Sequence, residues 1–587
     1  MKKIINQPQD LVLQMCNGLV LAHSELEFIQ KYKVIKKKVL DQEKVALISG
    51  GGSGHEPAHA GFVGAGMLDA AICGEVFASP SQVQIYQGIK AVAGNKGVLL
   101  IIKNYSGDVM NFKNAAHLAR EDGIEVDYVL VDDDIAVLDS LYTVGRRGVA
   151  GTIFVHKIAG AAAAQQKTLR EVKEIAEKVV KNVRSLGFAL TSCTVPAASK
   201  PLFELGATEI EYGVGIHGEP GIQRETIKSA KALATRMTDA LLKDLALQAG
   251  SNQEIAVLIN GFGGTPLQEL YVLNNDVMAA LHQAKIPVRG VFVGNYMTSL
   301  DMDGASLSFL KLDKELTQLL FEVADTPAFK IATSHDLVNY QPLIQEATNA
   351  AVAFQVETDI SWSKVKKAEL TLDNMKFIVA KMSEIIIEKE SEFCELDAHV
   401  GDGDFGMSIS RGFSQLKREW QTITRKEITN IGDFLDECSM IIMEYCGGAS
   451  GPIWGAAFRG ASKATAGKTS LTQVEFAKMM QAAVNGIQDV GKLSFGRGAV
   501  IGDKTLIDAL IPCANKWLVE AQKGVDFVTI FNLAAKEAVI GAEKTKEIVA
   551  KMGRAGLVGK RSLGHPDAGA YGLGVIFTEL AKSLTSD

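Results

Sequence analysis

Apolar positions in the first 335 residues come in short, nearly unbroken runs: VALIS (45–49), VLLII (98–102), VDYVLV (126–131), GTIFVHKI (151–158), IAVLIN (255–260) and VRGVFVG (288–294). Runs of this length predict strands buried on both faces. Most are followed by Gly, Asp or Asn and then a stretch with helical spacing, the texture of α/β layers. A charged helical stretch, Thr168–Ser185, separates the earlier strands from the later ones and predicts two α/β lobes, about 1–185 and 186–335. LVLQMCNGLVLAH near the start reads as an amphipathic helix. From about residue 370 the pattern changes. NMKFIVAKMSEIIIEKESEFCELDAH and VTIFNLAAKEAVIGAEKTKEIVAKM place apolar residues three and four apart between charges, which predicts an all-α bundle over 370–587. Residues 336–369 include Pro342 and lose the periodicity, so they read as a linker.

Composition narrows the class. A chain of 587 residues is expected to form about three or four lobes. At 47% hydrophobic and 22% charged it has the make-up of a packed protein, and a net charge of −7 gives no footprint for nucleic acid. No run of 18 apolar residues occurs, so no membrane span is expected. Gln7-Pro8-Gln9-Asp10 interrupts any signal-peptide core after the basic start. Seven scattered cysteines with no CxxC pair predict reduced thiols and a cytoplasmic setting.

Three segments of the first half carry candidate chemistry. In ISGGGSGHEP (48–57), Gly52, Ser53, Gly54 and His55 follow a strand, where open α/β sheets bind ligands and glycines let a ligand approach the backbone. KNYSGD (103–108) places Lys103 and Asp108 at a comparable strand end. In EYGVGIHGEPGI (211–222), glycines surround His217, clearing space for a small ligand; a buried histidine bonded to a carbonyl fits the residue type as well. Gly213–Gly218 also matches GxGxxG, the basis of a rival reading as an NAD-linked oxidoreductase.

In the helical half, LDAHVGDGDFG (396–406) holds Asp397, Asp402 and Asp404. Three close carboxylates repel unless cations neutralise them, and all-oxygen ligation suits Mg²⁺ that shares its shell with phosphates. Gly406 and Phe413 stand where an EF-hand needs ligands, and one nearby histidine, His399, cannot make a two-histidine iron site. CGGASGP (446–452) supplies small residues and a hydroxyl before a helix, a phosphate cradle. GAVIGDKT and GLVGKRS both miss GxxxxGK[ST] and follow no strand, so a Walker-type ATPase is excluded. Lys504 and Arg554 offer cations, and HPDAGA (565–570) offers a turn to wall an adenine.

Together GGGSGHEP, KNYSGD, GVGIHGEPG, LDAxxGDGDxG, GGxSGP, GDKTLxDAL and GRA…GKRSxGHPDxGA resemble the single-chain, ATP-dependent dihydroxyacetone (glycerone) kinases over nearly the whole length. The resemblance implies an α/β K-type substrate domain followed by an L-type eight-helix barrel, commonly as a homodimer. It implies that His217 bonds covalently to the substrate carbonyl as a hemiaminal, Asp108 is the general base, and His55 orients the substrate. Gly52, Ser53, Gly54, His55, Lys103 and Asp108 then bind substrate. By the same resemblance Asp397, Asp402 and Asp404 would hold two Mg²⁺ ions. It implies too that Phe405, Gly406, Met407, Ser408, Ala449, Ser450, Thr505, Leu506, Arg554, Asp567, Ala568 and Gly569 contact ATP. Ala449 stands where Thr is frequent, and FGRGAVIGDKT is one residue longer than usual. The alternatives are a triokinase acting on D-glyceraldehyde with an FMN-forming side activity, a phosphocarrier-dependent version, and a non-catalytic sensor.

Overall fold

The computed structural model describes residues 3–137, 145–198, 200–219, 221–332, 336–343, 358–399, 401–425, 427–552, 556 and 559–586. By internal contacts the chain divides into two units, Met1–Ile344 and Gln345–Asp587.

The first unit is α/β, with two six-stranded sheets. One holds β1 (Leu26–Ile29), β2 (Val34–Lys37), β3 (Ala46–Ser53), β4 (Ala70–Val76), β5 (Val98–Lys103) and β6 (Val126–Val131), in the order β1-β2-β4-β3-β5-β6. From β4 to β6 the pairing is parallel, so these strands end along one edge of the sheet. The other holds β7 (Val183–Ala189), β8 (Glu209–Tyr212), β9 (Gln223–Thr226), β10 (Ile255–Gly261), β11 (Val288–Gly294) and β12 (Gly304–Lys311), in the order β11-β10-β12-β7-β8-β9. There only β10 and β11 run parallel. The helices are α1 (Leu11–Ala22), α2 (Gln82–Val92), α3 (Ser106–Glu121), α4 (Thr152–Ala164), α5 (Leu169–Asn182), α6 (Ala230–Asp244), α7 (Leu267–Gln283) and α8 (Lys314–Leu320). Capping boxes, Ser81 with Gln84 and Thr168 with Glu171, start α2 and α5.

Two expectations change. GTIFVHKI is not a strand but the first part of α4, a helix buried on every side from Thr152 to Ala163. A helix with no solvent face has no polar stripe, and its period cannot be told from that of a buried strand. The second lobe also ends earlier than the 186–335 division suggests. After β12 the chain returns to the first lobe: α8 packs on α4, Asp325 bridges to Ala65, and Leu316, Leu320 and Phe329 join the core that holds Leu99 and Ile101.

The second unit is helical: α9 (Leu372–Glu388), α10 (Glu390–Asp397), α11 (Phe405–Arg418), α12 (Trp420–Arg425), α13 (Ile431–Tyr445), α14 (Ser450–Ala464), α15 (Gln473–Phe495), α16 (Ile507–Gln522), α17 (Phe527–Lys544) and α18 (Ala568–Ser583). Setting aside the short α10 and α12, each helix packs on the next and α18 returns to α9, which closes an eight-helix barrel. Trp454, Phe476, Trp517 and Phe531 line an apolar cavity of about 130 Å³ inside it. The described end of the stretch read as a linker belongs to this unit, because the Trp362 and Lys364 carbonyls accept from the Asn374 side chain on α9. No helix among the described residues is long and apolar enough to cross a membrane.

Candidate functional site

The first unit gathers its predicted residues where β3 and β5 end. Lys103 closes β5 and Asp108 sits in the first turn of α3, both buried. The Lys103 ammonium lies 3.3 Å from Asp108 Oδ2, and Ser79 donates to Asp108 Oδ1 at 2.5 Å. A side chain at Gly51 would put its Cβ 2.5 Å from Lys103 Nζ, so the bare strand is what admits the ammonium. This revises the expectation for the glycine run: the space beside Gly51 is filled by the protein's own cation.

His217 lies in the loop after β8. Glu219 fixes the loop by accepting the His217 backbone N–H at 2.7 Å. The Tyr105 hydroxyl donates to the same carboxylate at 3.3 Å, and the buried Arg147 guanidinium lies 3.6 Å from it. Arg147 also pairs with Asp134 at 2.6 Å and donates to the Gly213 carbonyl at 2.7 Å. Two of the GxGxxG glycines, Gly213 and Gly215, therefore pack around a guanidinium. The loop leads into β9 rather than a helix, so the strand-loop-helix context of a dinucleotide site is absent.

His55 and His217 meet through their Nε2 atoms at 3.1 Å, and His55 Nδ1 lies 2.8 Å from the Thr298 carbonyl. Burial pushes His55 well below the ordinary histidine value, helped by His217 and Lys103; burial, then Lys103 and Arg147, pushes His217 down to about 3. Both rings are thus neutral near pH 7. A carbonyl only accepts, so the single His55 proton is on Nδ1 and its Nε2 is a lone pair. The 3.1 Å contact is then a hydrogen bond only if His217 carries its proton on Nε2. Its Nδ1 is a buried lone pair with no partner among the described residues. Asn260 holds the carbonyl's segment by accepting from the Tyr296 and Met297 N–H groups at 2.9 and 2.8 Å.

In the second unit, Asp397 ends α10 and Asp404 precedes α11, and these two with Asp402 have carboxylate oxygens within 4.8 Å of one another. Gly401 permits this, since a Cβ there would lie 2.3 Å from Asp397 Oδ1. Three acceptor-only groups on one turn, with Asp402 exposed, fit a hard divalent cation open to solvent and phosphate. Apart from Arg554, the predicted nucleotide segments stand at helix N-termini: Phe405, Gly406, Met407 and Ser408 on α11, Ala449 and Ser450 at α14, Thr505 and Leu506 at α16, Asp567, Ala568 and Gly569 at α18. Contacts join them. The Gly447 N–H donates to the Ser408 carbonyl at 3.3 Å, and the His399 and His565 rings stack at 4.1 Å. Gly569 is pressed against Leu506, and Gly572 faces Phe405. Four positive helix ends near three carboxylates suit a metal-bound polyphosphate.

Lys504 departs from its expected role as a cation near the nucleotide. It is buried, and its ammonium donates to the carbonyls of Thr545 (2.9 Å), His565 (2.8 Å) and Ser562, so all three N–H bonds are used in stapling loops. Arg554 lies outside the described residues. Burial raises the Asp567 carboxyl to about 7, with Asp508 adding to the rise.

Sequence reasoning missed Ser79, Tyr105, Arg147, Glu219 and the Thr298 carbonyl. A faint signal existed for Glu219: His55-Glu56 and His217-Gly218-Glu219 are alike, and each glutamate accepts a backbone N–H two residues earlier. Thr298 acts through its backbone, 243 residues from His55, and leaves no sequence signal.

Comparisons with known proteins agree along the whole chain. Residues 17–328 match the Dak1 domain and residues 399–582 the DAK2 domain. The chain is 33% identical to the triokinase/FMN cyclase of Homo sapiens, over 100% of both. It is 53% identical over 315 residues to the dihydroxyacetone-binding subunit DhaK of the PTS-dependent dihydroxyacetone kinase of Lactococcus lactis, covering 54% of this chain and 94% of the subunit. The dihydroxyacetone kinase from C. freundii in complex with AMP-PNP and Mg²⁺ is 31% identical, with a TM-score of 0.59 and 99% of each chain covered. Two α/β sheets, a closed helical barrel and both domain matches make the chain a member of the dihydroxyacetone kinase family.

Proposed function

We propose that the chain phosphorylates dihydroxyacetone with ATP, holding the ketone covalently on His217 and the nucleotide on the Asp397–Asp402–Asp404 turn. The observation that carries this reading is the neutral His217 imidazole with its Nε2–H hydrogen-bonded to the His55 lone pair. The ring adds through its unprotonated nitrogen: as that lone pair bonds to a carbonyl carbon, the proton on His217 Nε2 passes to His55 Nε2. The C=O electron pair moves to oxygen, which then takes that proton, leaving a neutral hemiaminal. The Thr298 carbonyl keeps the His55 Nδ1–H in place throughout and steadies the transient imidazolium, as the orienting acid does in a catalytic triad. Glycerol has no C=O and is refused. A covalent requirement of this kind discriminates more strongly than a shaped apolar pocket.

Asp108 accepts the terminal hydroxyl of the bound ketone, with Lys103 and Ser79 aiming its carboxylate. A carboxylate is a weak base toward an alcohol, so its work is orientation, with proton transfer late. Gly52, Ser53 and Gly54 complete the substrate contacts of this reading. Two Mg²⁺ ions on the three aspartates would neutralise phosphate charge, the main electrostatic demand of phosphoryl transfer. Holding ketone and ATP in fixed positions supplies up to roughly 7–11 kcal/mol of the barrier reduction.

A second reading keeps the chemistry and shifts the substrate to D-glyceraldehyde. It is favoured by the full-length relatives called triokinase/FMN cyclase, and an aldehyde also adds to imidazole. Turnover of the purified chain with ATP and Mg²⁺ on each triose separates the two. Dihydroxyacetone is expected to have the larger kcat/KM; a larger value for glyceraldehyde selects the second reading, and equal phosphorylation of glycerol defeats both.

A further inference from the structure

We propose that Phe77 limits the carbonyl ligand to a three-carbon chain; this rests on the reading of His217 as the residue that bonds the carbonyl. Bonding to C=O cannot measure chain length, because a four-carbon ketose presents the same carbonyl beside the same hydroxymethyl group. Length has to be read by a wall, and besides His55 the rings packed on His217 are those of Tyr105 and Phe77. Tyr105 lies edge-on at 4.5 Å between ring centroids, and is buried and tied to Glu219. Phe77 lies edge-on at 5.3 Å and also stacks on His55, at 5.3 Å with 23° between planes.

The chain goes to some length to put Phe77 there. Its φ is +56°, a left-handed conformation uncommon for a bulky residue, adopted directly after β4. Its N–H donates to the Ser53 carbonyl at 2.9 Å. A Cβ at Gly54 would lie 2.8 Å from Phe77 Cε1, and one at Gly52 would lie 2.8 Å from Phe77 Cα. Both glycines of the GGGSGH run thus admit this residue. Strain of this kind persists where surrounding structure enforces it, and at functional sites it serves the mechanism. A fourth carbon with its hydroxyl would press against the Phe77 ring, where it meets no hydrogen-bond partner.

The test compares binding of dihydroxyacetone and of 1,3,4-trihydroxybutan-2-one, a four-carbon ketose, by calorimetry on the full chain without ATP. Phe77→Gly keeps the left-handed backbone and removes the ring; Phe77→Leu keeps apolar bulk but shortens it. The affinity ratio should move toward the four-carbon ketose by about tenfold or more in Phe77→Gly and by less in Phe77→Leu. An unmoved ratio in whichever variant keeps the wild-type melting transition overturns the proposal while leaving the carbonyl reading intact. If the wild type binds neither ketone, the carbonyl reading falls and this proposal falls with it.

Discussion

His55 and His217 share one proton position, Nε2 to Nε2 across 3.1 Å, and the Thr298 carbonyl on the far side of His55 decides which of them donates. The pair stands ready to move a proton off His217, since His55 holds the accepting lone pair.

Replacing His55 by Gln should therefore slow formation of the ketone adduct by about 10²-fold or more, the usual range for losing a positioned base. Nitrogen NMR of the labelled histidines gives a second readout. Wild-type His217 should carry its proton on Nε2, and the variant should lose that preference.

Lys103 supports the same chemistry from a distance. It is the second cause, after burial, of the low His217 value. Lys103→Met should raise the His217 pKa from about 3, by an amount that NMR titration measures, and should leave Asp108 without its 3.3 Å partner. As pH falls, ketone turnover should then be lost at a higher pH than in wild type, because more of His217 is protonated and unable to add to a carbonyl. A His217 titration identical to wild type would contradict this.

The helical unit should respond to Asp402→Ala alone. Mg·ATP affinity should weaken by at least about tenfold, the lower bound seen even for losing groups that only support a metal ligand. Ketone binding should be unchanged in the same sample, because the histidine pair belongs to the other unit.

Stability should depend on pH with opposite sign in the two units. His55, His59, His156 and His217 are all held below their ordinary value, chiefly by burial. Below about pH 6.5 the unfolded chain takes protons that the fold refuses, costing on the order of 1 kcal/mol for each histidine at pH 5.5. Asp567 behaves in the opposite way. Its raised value means the fold binds a proton as pH drops through about 7, before the unfolded chain does, and the helical unit gains. All four tryptophans, Trp362, Trp420, Trp454 and Trp517, lie in the helical unit. Between pH 7.5 and 5.5 the tryptophan-reported melt should hold or rise, while hydrogen exchange at β3 and β5 should quicken.

Much of this was legible in the sequence because its signals are local. In the first sheet β3, β5 and β6 show as apolar runs, whereas β1, β2 and β4 carry charges and did not, and the aspartate turn declares itself by three carboxylates among glycines. The all-α second unit followed from the 3,4 spacing, and its eight-helix barrel from the family resemblance. What stayed hidden depends on distant chain. The α4 helix lost its period by being buried all round, and Lys504 could not be read as a loop staple without Thr545, Ser562 and His565 beside it. The glycines at 51, 52 and 54 were legible as cleared space, but not that Lys103 and Phe77 fill it.

The most direct test follows the carbonyl carbon itself. With dihydroxyacetone labelled by ¹³C at C2, the bound ketone signal should give way to a tetrahedral carbon on the wild-type protein, and should not do so on His217→Ala. A bound ligand that keeps its ketone resonance on the wild type, or a tetrahedral signal that survives in His217→Ala, would contradict the account.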